Sequence, residues 1–176
     1  MSNRTYLRLG VSVVAISLMT TLLIRGQQQQ PKKMDCPMKM EEMNERGDKA
    51  MGFDHLKTTH HFLLAKDGGA IQVEANSAED KQSRDQIRQH LRHIAMMFSD
   101  GNFDTPMLVH AQTPPGTDVM QKLKAEISYK YEETEHGALI RISTSNADAL
   151  QAVYEFLRFQ IKEHMTGDPL EASAQP

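Results

Sequence analysis

Hydrophobic and polar residues alternate at two places along this chain, and each alternating stretch is broken at a glycine and then resumed. Thr58 to Ala65 puts Phe62 and Leu64 on one side, and Ala70 to Ala75 puts Ile71 and Val73 on one side. Between them lies Lys66-Asp67-Gly68-Gly69, and an Asp-Gly pair flanked by period-two runs predicts a hairpin. Glu126 to Glu132 and Ala138 to Thr144 repeat the pattern around a turn ending in Gly137. Each hairpin is followed by a longer stretch with helical spacing. Ser77 with Asp80 predicts a helix start and Gly101 its stop, near Ser99; Ser145 with Asp148 and Gly167 do the same for a helix to Met165. Their apolar stripes are Ile87, Leu91, Ile94 and Phe98 on the first, and Leu150, Val153, Tyr154, Leu157 and Ile161 on the second. Shorter helices are expected at Pro37 to Lys49 and Asp118 to Lys124. Phe103 to His110 reads as a linking segment or fifth short strand, ahead of the breaker Pro114-Pro115-Gly116.

The order of elements therefore occurs twice. Gly69-Ala70 matches Gly137-Ala138, the Ser-x-x-Asp starts match, Leu91-Arg92 falls on Leu157-Arg158, and Gly101 falls on Gly167. The fold class expected is α+β: pseudo-twofold duplicated ββα units over residues 37–170, with halves at about 37–103 and 114–168. The two hairpins form one four-stranded antiparallel sheet with the long helices on one face. Alternation then assigns Phe62, Leu64, Ile71, Val73, Ile127, Tyr129, Tyr131, Ile140 and Ile142 to the side facing the helices. Residues 171–176 read as a disordered tail.

Ahead of this domain the pattern changes to an uninterrupted apolar run, Leu9 to Ile24, preceded by Arg4 and Arg8. Basic residues followed by an apolar core are the physics of membrane targeting. At about 1.5 Å per residue the run reaches roughly 24 Å, a little short of a ~30 Å hydrocarbon core. Residues 1–26 are thus expected to be a signal anchor or signal peptide. The poor cleavage context at Ile24-Arg25-Gly26 favours an uncleaved anchor. Residues 27–36, opening with Gln27 to Gln30 and Pro31, form a polar spacer.

Composition adds two things. A net charge of −3 supplies no basic field for nucleic acid, and the single cysteine allows no intrachain disulfide. Twelve methionines and eight histidines, with no tryptophan, are an inventory of soft and borderline metal ligands. No hydrolase elbow, phosphate-binding loop, dinucleotide fingerprint or zinc-protease motif is present, which leans against an enzyme and leaves catalytic residues unassigned.

Candidate metal ligands fall in three groups. His60 and His61 are adjacent in a strand and so point to opposite faces, His60 towards the helices, with His55 just before them. On the first long helix His90, His93 and Met97 lie on one flank of the apolar stripe, an imidazole–imidazole–thioether row. If His60 reaches that row, it closes a site suited to copper or zinc, with methionine favouring Cu(I). Such a row also arises at the border of any amphipathic helix. The third group, Cys36 and Met38 with their neighbours, resembles soft-metal capture sequences but reads first as a helix packing its methionines, with Cys36 a spare thiol. His110 is a further donor in the linking segment. His164, ending the second long helix, reads as a helix-dipole residue with a structural role.

The block Met51 to Phe62 (MGFDHLKTTHHF), with Ile87-Arg88, His90 to Ile94, Pro114 to Gly116 and Phe156 to Ile161, resembles a group of exported bacterial proteins with no established activity. The resemblance covers most of the chain past Arg46. It implies export and lends no catalytic residues. The expected function is a membrane-anchored, periplasm-facing domain that binds copper, or failing that zinc, for handling or sensing. The alternatives are a cell-envelope interaction or small-ligand module without metal, with a pocket between sheet and helices, and a histidine-dependent hydrolase. The expected partners are the membrane, through the N-terminal helix, a metal ion and an envelope protein.

Overall fold

The structure is a computed structural model that describes residues 36–172, with side chains from residue 40 onward, all within one compact unit, Met34–Pro176. The expected membrane helix, most of the spacer, the side chains of Cys36 and Met38, and the end of the tail lie outside the described residues. Among the described residues no helix is long and apolar enough to cross a membrane.

The fold is α+β. Strands β1 (Thr58–Ala65), β2 (Gly68–Ala75), β3 (Ile127–Glu133) and β4 (Gly137–Thr144) form one antiparallel sheet in the order β1-β2-β4-β3. The two hairpins meet where Ile71 pairs with Ile140. Phe62, Leu64, Ile71, Val73, Ile127, Ile140 and Ile142 are buried, and Tyr129 and Tyr131 pack partly buried against them. The first turn is tighter than the glycine pair suggests: Ala65 pairs with Gly68, leaving only Lys66 and Asp67 between the strands. Gly68 has φ +147°, and a Cβ there would lie 2.1 Å from the Ile142 carbonyl oxygen, so the position requires glycine. This corrects the internal match by one residue, from Gly69 to Gly68 opposite Gly137. Since strand side chains alternate, the shift matters: Ile71 now corresponds to Ile140 and Val73 to Ile142, all facing the core.

The long helices are α2 (Lys81–Ser99) and α5 (Ala147–His164). Asp80 caps α2 by accepting from the Ser83 N–H, and Asn146 caps α5 by accepting from the Asp148 and Ala149 N–H groups. The expected Ser77 stands three residues before the actual cap, and Ser145 one residue before it. Ile87, Leu91, Ile94 and Phe98 are buried as their spacing requires, with Val153, Leu157 and Ile161 on α5. Helix α2 packs mainly on β3 and β4, and α5 on β1 and β2, so each long helix covers the hairpin of the other half.

Three short helices complete the unit. Helix α1 (Cys36–Met51) packs against α3 (Asp104–His110), and α4 (Thr117–Lys122) against α5. Helix α3 replaces the expected fifth strand. Its Pro106 is the third residue of the helix, where a missing N–H leaves no bond unmade. The Asn102 side chain accepts from the Asp104 N–H at its start. Burial of Pro106, Val109 and His110 on one side then fixes α3 against the domain.

A candidate ligand site among buried histidines

Four histidines from four elements converge on one end of the core. Strand alternation sends His60 of β1 to the helix side with Phe62, as expected. Helix α2 contributes His90, α3 contributes His110 and α5 contributes His164. All four line a cavity of about 70 Å³ between the sheet and the helices, together with Met51, Gln160 and apolar core residues. Among the described residues no Lys, Arg, Asp or Glu lines it. His60, His164 and Met51 also border an outer crevice of about 240 Å³, which His55 and Met43 share. The His60 and His164 rings therefore border both spaces.

The rings pack as aromatics. His60 stacks on His164 with centroids 5.7 Å apart and planes 10° from parallel, and His110 meets His164 edge-on at 5.0 Å. Phe53 sits between His60, at 6.2 Å, and His90, at 5.6 Å. His110 is buried, and its Nε2–H donates to Gln160 Oε1 at 2.8 Å. His60 Nε2 is buried without a hydrogen-bond partner among the described residues, as is Gln160 Nε2.

His110 is buried and His60, His90 and His164 are half-buried as residues, and the loss of hydration around the latter three rings sets the charge of the cluster. Loss of hydration is the largest cause, lowering the pKa of His60 and of His90 to about 4 and that of His164 to about 3. Neighbouring imidazoles add to it: His55 and His61 for His60, His60 and His93 for His90, and His60 and His110 for His164. At neutral pH these three rings are uncharged and carry a free nitrogen lone pair.

The other sequence candidates lie elsewhere. His93 is exposed, because at about 100° per residue it falls some 120° from Ile87, outside the buried arc that still holds His90. Met97 is half-buried but does not line the cavity; the Thr105 hydroxyl donates to its sulfur at 3.8 Å. His61 points to the opposite sheet face, where its Nδ1–H donates to Asp168 Oδ1 at 2.9 Å. His55 makes the same kind of pair with Asp48 Oδ1, also at 2.9 Å. Asp48, Asp54 and His55 are the one group of three or more His, Cys, Asp or Glu, among the described residues, whose donor atoms all lie within 4.8 Å of one another. The four cavity histidines are not drawn together to that degree.

Three members of the cluster, His164, Gln160 and Met51, were not among the ligands expected from the sequence. His164 stacks on His60 rather than serving only the helix end. Its signal was present, since Leu157, Gln160, Ile161 and His164 follow the spacing of a single helix face. Gln160 carried no signal beyond its place on the same face. No family model, curated protein or solved structure matches this chain.

Proposed function

We propose that this domain binds a transition-metal ion within the partly buried histidine cluster, with copper favoured over zinc, for handling or sensing rather than catalysis. The observation that carries the reading is a set of four imidazoles and one thioether, from His60, His90, His110, His164 and Met51, around a cavity with no charged wall. The ligand-competent imidazole is the neutral form, and burial keeps His60, His90 and His164 neutral. Nitrogen and thioether donors without a carboxylate suit copper, and the thioether favours Cu(I). The near-parallel stack of His60 and His164 does not aim both lone pairs at one point, so uptake turns one ring out of the stack. His55 at the crevice lies on the way in. The apolar run Leu9 to Ile24 behind Arg4 and Arg8 supports an anchor in the inner membrane, with the domain on the periplasmic side.

The test is titration of the metal-stripped full-length chain with Cu(I) and with Zn(II). Near-stoichiometric uptake is expected, weakened at least about tenfold in a His60→Ala/His164→Ala double variant and unchanged in His93→Ala. Substoichiometric uptake by the parent, or equal affinity in parent and double variant, overturns the reading.

A further inference from the structure

The inner cavity has a second chemistry that needs no metal. Gln160 is 3% exposed and lines the cavity. Its Oε1 is taken by His110, but its Nε2, which bears two N–H groups, has no partner among the described residues. His60, half-buried, lines the same space, and its Nε2 also has no hydrogen-bond partner among the described residues. Unmet buried polar groups are rare in native proteins and mark a place where something polar is missing. The void of about 70 Å³ exceeds what one water requires. It is about half the ~150 Å³ of an apolar cavity that accepts benzene, which limits an occupant to roughly two or three heavy atoms. With no charged side chain among the described residues of the wall, an organic ion would be stripped of water without the donor bonds that imidazoles give a metal ion.

We infer that the cavity takes up a small neutral molecule carrying a hydroxyl or carbonyl oxygen on a short apolar body. The oxygen accepts from Gln160 Nε2, a hydroxyl can also meet His60 Nε2, and the apolar body lies against Phe62, Val73, Phe98 and Phe156. The two readings share the cavity and His60, but Gln160 is not among the proposed metal ligands, so each is tested with the other ligand absent. The probes are ethanol and propane, which have nearly the same shape and differ in the oxygen. They are titrated into the chelator-treated full-length chain while the Gln160 side-chain amide resonances are followed. Ethanol is expected to shift them saturably and to bind roughly tenfold more tightly than propane, the effect of one gained hydrogen bond. In Gln160→Met the two probes bind alike. The absence of a saturable ethanol response, meaning that the cavity holds water only, or equal affinity for both probes in the parent chain, overturns the inference. The parent comparison alone decides if the variant does not fold. Copper uptake without an ethanol response would leave the metal reading standing and remove this one.

Discussion

Asp168 shows how much a single side chain outside the regular elements can hold. Strand β1 is at the edge of the sheet, so alternate backbone groups face away from β2 with no ladder partner. One of them, the Phe62 N–H, donates to Asp168 Oδ2 at 2.9 Å, and the Thr166 hydroxyl donates to the same oxygen at 2.7 Å. Oδ1 takes the His61 Nδ1–H, which fixes that ring with Nε2 turned outward. Burial on its own would raise the Asp168 pKa, but the hydrogen bonds from Thr166, Phe62 and His61 outweigh it and hold the carboxyl below its ordinary value. Asp168→Ala is expected to destabilise the fold by about 2–3 kcal/mol in urea unfolding, because it leaves a strand N–H unmet as well as removing three bonds. A carboxylate whose folded pKa is depressed contributes stability above its unfolded pKa and loses it as pH falls through the folded value. Asp168→Asn should therefore show a shallower loss of stability than the parent below about pH 4. Identical acid limbs in the two proteins would show that the charge on Asp168 contributes nothing.

The elements repeat the same logic twice, with a different residue at each use. Arg88 and Tyr154 occupy matching places on α2 and α5, each one turn before the Leu-Arg pair. Each reaches the hairpin turn of the opposite half. Arg88 donates to the Thr134 and Gly137 carbonyls at 2.6 and 3.0 Å, and the Tyr154 hydroxyl donates to the Ala65 carbonyl at 2.8 Å. Tyr154→Phe is expected to cost about 1 kcal/mol, read from the denaturation midpoint. Gly116, at φ +83°, is a stricter constraint, because a Cβ there would come within 2.1 Å of the Ala152 carbonyl oxygen where α4 meets α5. Gly116→Ala should lower stability by more than the roughly 1 kcal/mol of the backbone conformation alone. What was legible in the sequence follows the same division. Strands and long helices could be read because one face of each is buried, which imposes a period of two or 3.6 on residues such as Ile71, Val73, Leu91 and Leu157. Helix α3 could not be, since Pro106 hides a helix start and seven residues are too few to show a period. His60 and His90 were legible as candidates from their faces. Their meeting with His110 and His164 depends on how α3 and α5 pack, which no local pattern states.

At the scale of the whole molecule, the candidate chemistry gathers at one end of a domain whose two hairpins meet in matching register. Under the internal match, Tyr129 of β3 stands where His60 stands in β1, and Phe98 of α2 where His164 stands in α5. Phe98 and Tyr129 meet edge-on at 5.8 Å, as His164 and His60 stack at 5.7 Å, so the two matching contacts between the halves are filled by aromatic rings in one case and by imidazoles in the other. The imidazole version carries a pH dependence that the aromatic version lacks near neutrality, since burial pushes the Tyr129 hydroxyl pKa further up from its already high value. In the unfolded chain His60, His90 and His164 take up protons around pH 6.5, whereas in the folded domain they resist until about pH 4, 4 and 3. Between those limits the unfolded state binds more protons, so stability is complete above pH 6.5 and falls as pH drops through the window, by at most about 1.4 kcal/mol per pH unit for each ring. His164→Phe copies the contact already used in the other half. It should fold at pH 7 with stability near the parent's, and its urea midpoint should fall less steeply between pH 6 and 4. It also removes one proposed ligand, so the same variant should lose copper affinity while gaining acid resistance. Parallel pH profiles for parent and variant would mean that the rings charge without opposing the fold. The cluster would then have to be solvated in a way the packing of His60 against His164 does not provide.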